Sequence, residues 1–165
     1  MNSNLMATIC SELCDSNRAV KSAQLMIRFL QKMRQEIKSI DDRLQVLFIL
    51  DSTLQARRPL TDTTSASSSS LATCRFFEQE RGYETLVEWC SETCSYMDQR
   101  NLLFTETCLK VLLQNPPERP FARKIFLMKL REMQINVKNK KHKELVTEIL
   151  VGLTEASVSD CRISN

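Results

Sequence analysis

The stretch Ser22-Ala23-Gln24-Leu25-Met26-Ile27-Arg28-Phe29-Leu30-Gln31-Lys32-Met33-Arg34-Gln35-Glu36-Ile37-Lys38-Ser39-Ile40 decides the fold class. Ala23, Met26, Leu30, Met33, Ile37 and Ile40 recur at alternating steps of three and four, with Arg28, Lys32, Arg34 and Glu36 between them. That period puts the apolar side chains on one face of a helix and the charges on the other. A coiled-coil seam has this stripe, but so does one helix of a bundle or solenoid. The latter is preferred, because the pattern runs into a break. Ser39-Ile40-Asp41-Asp42 resembles a capping box that opens a new helix, which carries Leu44, Leu47, Phe48, Leu50 and Leu54 and ends before Pro59. Upstream, Leu5, Ile9 and Leu13 form a short one-faced stripe, and Asp15-Ser16-Asn17 offers N-cap residues for the quoted helix.

The same pattern fills the second half. Leu71, Cys74, Phe76 and Phe77 lead to Gly82, placed to end a helix in a left-handed cap. Tyr83 to Met97 carries Leu86, Val87, Cys90 and Cys94, with Trp89 expected in the core beside Cys90, Leu86 and Cys108. Asp98 can cap a helix from Leu102 to Gln114 that carries Leu102, Leu103, Leu109, Val111 and Leu112. Asn115-Pro116-Pro117 stops it, and Pro120 suits the first turn of the next. Phe121–Val137 and Leu145–Ala156 supply the last two helices. The chain is therefore expected to be all-α: a short right-handed α-solenoid of stacked helices, or alternatively an irregular helical bundle. Residues 1–157 are expected as one helical domain with a flexible Ser/Thr-rich loop at 61–70, and 158–165 as a frayed tail. In that loop, Arg58 stands three residues before Thr61, a spacing that makes Thr61 a candidate regulatory phosphorylation site.

Composition excludes much chemistry. Two glycines among 165 residues, Gly82 and Gly152, stand too far apart to build a phosphate-cradling loop. The one histidine, His142, lies among Lys140, Lys141 and Lys143, where positive charge depresses its basicity and no carboxylate orients it. No enzyme activity and no cofactor are expected. The N-terminal residues show no basic, apolar secretory pattern, and no run of about 18 apolar residues exists to span a membrane. Seven cysteines in such a chain read as reduced thiols of an intracellular protein, cytoplasmic or nuclear. Cys10/Cys14 and Cys90/Cys94 share the wording Cys-Ser-Glu-x-Cys. Their i, i+4 spacing departs from the usual metal-binding turn, so they are expected as core thiols with no metal.

An internal echo is present. Laying Arg18–Leu30 over Arg100–Leu112 aligns Val20 with Leu102, Ile27 with Leu109, Arg28 with Lys110 and Leu30 with Leu112. Each segment follows a Cys-Ser-Glu-x-Cys helix, which implies two units of short helix, long helix, long helix. The segment Phe76-Phe77-Glu78-Gln79-Glu80-Arg81-Gly82-Tyr83-Glu84-Thr85-Leu86-Val87-Glu88 resembles the joint between armadillo repeats, with Arg81 where that joint has its second glycine. The resemblance covers about forty residues, and beyond it the chain is similar to armadillo or HEAT-like segments in helix pattern only. It implies a binding surface for extended peptides or partner helices. Asn101 and Asn115 do not form the asparagine ladder of a peptide-gripping armadillo groove.

Charge is the one polarised feature. Residues 119–143 hold nine Lys or Arg and one acid, Glu132, whereas the whole chain carries +3. Arg123, Lys124 and Arg131 are expected to face solvent on a helix whose core face is Ala122, Ile125, Phe126, Leu130 and Met133. Lys138, Lys140, Lys141 and Lys143 are expected to continue the ridge in a polar connector. These seven cations are the candidate partner-binding residues. The expected function is a non-enzymatic protein-interaction scaffold or adaptor with an acidic partner. The alternative is a helical module that binds nucleic acid through 119–143.

Overall fold

The computed structural model describes the backbone of residues 3–56 and 68–163 and the side chains of 4–56 and 70–155. Thr61 and most of the 61–70 segment lie outside the described residues. Eight helices make up the described chain: α1 (Ser3–Leu13), α2 (Ala23–Gln35), α3 (Ile40–Gln55), α4 (Ser68–Gln79), α5 (Gly82–Thr93), α6 (Gln99–Gln114), α7 (Pro120–Gln134) and α8 (Lys140–Ile163). No strand occurs among the described residues, only an isolated bridge between Cys14 and Val20. The all-α expectation holds. Two compact units divide the chain, Met1–Gly82 and Tyr83–Asn165.

In the first unit, α2 packs mainly on α4, burying Met26, Phe29, Leu30 and Met33. Its cap is Ser22, whose hydroxyl accepts from Leu25 N at 3.2 Å, not the Asp15–Asn17 group. Asp15 instead closes the α1–α2 turn, its carboxylate accepting from Asn17 N and Ala19 N while Arg18 takes φ 61°. An Asx turn satisfies those donors locally, so the helix starts later. Ser39 does cap α3, accepting from Asp42 N at 3.1 Å. Phe48, expected on the core stripe of α3, is 60% exposed, because Val46, Leu47, Ile49, Leu50 and Leu54 fill the buried arc. Thr53 ties the unit together, accepting from Val20 N and donating to Ile49 O.

Gly82 does not end a helix in the left-handed region. Arg81 takes that conformation, at φ 65°, and Gly82 opens α5. The glycine is required by space, since a Cβ there would run into the ring of Phe77.

The second unit is built on α5–α8, with α8 packed on α6 and α7. Asp98 caps α6, accepting from Asn101 N, and Pro120 sits in the first turn of α7. Phe104, Cys108, Leu109, Val111 and Leu112 of α6 are buried, while Leu103 points outward. Tyr83 donates its hydroxyl proton to Asn115 O at 2.7 Å and meets Phe126 edge-on at 5.7 Å. Thr93 and Thr105 share a buried hydroxyl–hydroxyl bond of 2.7 Å. The largest departures from the expected boundaries are the two ends of α8. Helix α8 starts at Lys140 rather than Leu145 and continues to Ile163 rather than Ala156. Asn139 supplies the early start, its side-chain oxygen accepting from His142 N at 3.2 Å. No proline or further glycine interrupts 153–163, so elongation costs little there. Likewise residues 68–70, expected in the loop, begin α4.

Candidate functional site

The basic segment is built from α7, a short loop and the first turn of α8. Helix α7 buries Phe126, Leu130 and Met133 and leaves Lys124 and Arg131 exposed, as its periodicity predicts. Arg123 departs from that pattern. It is half-buried and donates from Nε to Pro117 O at 2.9 Å, so it secures the entry to α7 instead of joining the ridge. Beyond α7, Val137 is buried and Lys138 N bonds to Cys94 O, which fixes the loop against the end of α5.

Lys140, Lys141 and Lys143 are not in a connector but in the first turn of α8. That turn contains no acid, although the positive end of the helix dipole favours acids by about 0.3–1 kcal/mol each. Lys141 is partnered: its Nζ lies 2.7 Å from Glu106, which also holds Lys110 at 2.8 Å. The hydrogen bonds from Lys110 and Lys141 pull the Glu106 carboxyl down to about 2. Lys124, Arg131, Lys138, Lys140 and Lys143 are exposed, or partly so, and form no side-chain ion pair among the described residues. The structure thus retains five of the seven expected cations as unpaired surface charge and gives Arg123 and Lys141 internal work.

Sequence reasoning singled out His142 but did not foresee its burial. It is buried between its lysine neighbours, and its Nδ1 has no hydrogen-bond partner. Burial pushes its pKa below the ordinary value, with Lys141 adding to the depression and Glu106 opposing it. The folded chain therefore binds this proton less well than the unfolded chain. Stability should be full above about pH 6.5 and fall as pH drops below it, because only the unfolded state gains the proton. Glu106 contributes nothing to that slope, since its lowered pKa matters only below about pH 4.5. Urea unfolding at about pH 7.5 and about pH 5.5 should show the loss. His142→Leu should flatten it, and a wild-type profile already flat over that range would contradict the assignment.

Five of the six described cysteines are buried. The six described cysteines are free, and among the described residues no group of three or more ligating side chains could hold a metal. Burial raises Cys14 and Cys94 to about 11, where little reactive thiolate exists. Cys90 is raised as well, chiefly by its hydrogen bond with Cys108.

The chain matches no protein-family model, no curated protein and no solved structure. Among the described residues no helix is long and apolar enough to cross a membrane.

Proposed function

We propose that this chain is a non-enzymatic protein-interaction module, armadillo- or HEAT-like in kind, that engages an acidic partner through its basic segment. One observation carries the proposal. Lys140 and Lys143 sit unpaired at the positive end of α8, where they oppose the helix dipole and leave stability to other residues. Charges that cost stability and pair with nothing internal are explained by an external contact. The echo between the halves adds support for a repeat: Met26, Phe29 and Leu30 of α2 and Cys108, Val111 and Leu112 of α6 occupy equivalent positions and are all buried. In both halves the Cys-Ser-Glu-x-Cys motif closes a short helix, with its second cysteine one residue beyond the end. An intracellular setting, cytoplasmic or nuclear, fits the free thiols.

Nucleic acid is the second class of partner, favoured only by the nine-to-one excess of cations over acids in 119–143. Salt separates the two. Phosphate binding should fall by orders of magnitude between about 50 and about 200 mM salt, whereas a partly apolar protein contact should fall far less. The test of the proposal is Lys140→Glu with Lys143→Glu, assayed by quantitative affinity purification from cells beside the wild type. Proteins enriched by the wild type should be depleted in the variant, and an unchanged set would overturn the proposal.

A further inference from the structure

Helix α7 has a second apolar face that the core does not use. Phe121 is 75% exposed, Met128 54% and Ile135 86%. They are seven residues apart, and Ile135 keeps helical backbone at the C-cap, so the three form one column along the helix. The buried Phe126, Leu130 and Met133 lie on the opposite side. Lys124 and Arg131, also seven apart and both exposed, form a parallel basic column beside the apolar one. A shallow groove of about 530 Å³ lies on this side of α7, lined by Phe121, Lys124, Ile125, Leu127, Met128 and Arg131, with Glu132 the one acid at its edge. Single exposed apolar residues are ordinary, but a heptad column with a groove and a charged edge is the layout that receives a helix.

We infer that this face of α7 is a seam for an amphipathic helix of a partner protein, with apolar residues on one heptad position and acids on the next. The inference rests on the proposed interaction role and assigns the chemistry of its partner. Charge chooses the occupant. A second copy of α7 would offer the same cations and, within 119–143, only Glu132 as an acid to meet them. An acidic helix meets both columns: its apolar residues cover Phe121, Met128 and Ile135, and its carboxylates reach Lys124 and Arg131. Nucleic acid would satisfy the cations and leave the apolar column in water. From Phe121 to Ile135 the seam is about 21 Å long, so a helix of about 15–20 residues would fill it.

The probe is a fluorescein-labelled peptide of about 20 residues with leucines and glutamates in that heptad order, beside a scrambled peptide of identical composition. Anisotropy should show the ordered peptide binding roughly tenfold more tightly than the scrambled one. Phe121→Ser/Met128→Ser/Ile135→Ser should lose roughly tenfold in affinity, and so should Lys124→Glu/Arg131→Glu. All five residues are exposed, so circular dichroism and the melting temperature should be preserved. A peptide with lysine in place of glutamate should prefer the charge-reversed variant. Four results would each overturn the seam. They are no binding of the ordered peptide, equal binding of ordered and scrambled peptides, an apolar triple variant that binds like the wild type, and a wild-type dimer in sedimentation that Met128→Ser dissociates. If the triple variant is silent while charge reversal at Lys140 and Lys143 still removes cellular partners, the seam fails and the interaction role stands.

Discussion

Replacing Trp89 with alanine should cost the second unit about 3–5 kcal/mol of stability. Trp89 is 4% exposed and lies with its ring centre 6.4 Å from that of Phe104, tilted at 55°. Truncation removes the largest side chain of α5 and leaves a void beside Phe104, a fully buried ring of α6. Packed helices relax only partly into such a void, so the cavity adds to the lost transfer energy. Trp89→Phe should cost less, because a ring remains against Phe104. Trp89 is the sole tryptophan, so its emission in the wild type reports unfolding of the unit that contains it. Urea denaturation followed by circular dichroism compares the variants. A loss below about 1 kcal/mol would show that this contact is not part of the core.

Gly82→Ala sets two effects of opposite sign against each other. Gly82 is helical with no positive φ, and alanine in a helix is ordinarily better than glycine by about 1 kcal/mol. Here the added methyl would collide with the Cδ2–Cε2 edge of Phe77 and sit 2.6 Å from its Cζ. The Phe77 ring is fully buried and cannot swing into solvent. Overpacking of this kind costs about 1–3 kcal/mol and should cancel or exceed the propensity gain. The expected result is a lower melting temperature for Gly82→Ala, partly restored by Phe77→Leu in the same chain. A more stable Gly82→Ala would mean that the ring yields easily. Gly152 is the control, since a Cβ there meets nothing within 4 Å and Gly152→Ala should stabilise.

Periodicity made most of the fold legible. The stripe Met26, Leu30, Met33 and Ile37 is buried as its spacing predicts, and Ser39 and Asp98 cap the helices assigned to them. In α7 the spacing assigned Phe126, Leu130 and Met133 to the core, and they are buried, but it gave no sign of a second apolar column at Phe121, Met128 and Ile135 that packing leaves outward. Phe48 and Leu103, read from spacing as apolar stripe residues, point outward instead. The lysine-rich run hid the start of α8, because charge argued for a connector while Asn139 was already a good cap. That hidden start also concealed the burial of His142, which depends on the face it takes in the first turn. Glu106 was out of reach altogether: its tie to Lys141 spans 35 positions and leaves no local signal.

That tie changes how the basic segment must be tested. Lys140 and Lys141 stand side by side in the basic segment, which makes their joint reversal an obvious test from the sequence. Lys141→Glu, however, would replace a surface ion pair between α6 and α8 by two like charges beside Glu106, a stability change unrelated to any partner. Lys140 and Lys143 have no such partner, and glutamate at either position would complement the α8 dipole. The decisive measurement therefore reads stability and binding on one protein, Lys140→Glu/Lys143→Glu. Thermal unfolding should be unchanged or higher, by about 0.3–1 kcal/mol per substitution. Recovery of the wild-type partners by quantitative affinity purification should fall by roughly tenfold. A variant that is at least as stable and recovers the same partners as the wild type would contradict the account, leaving these lysines as solvated charge.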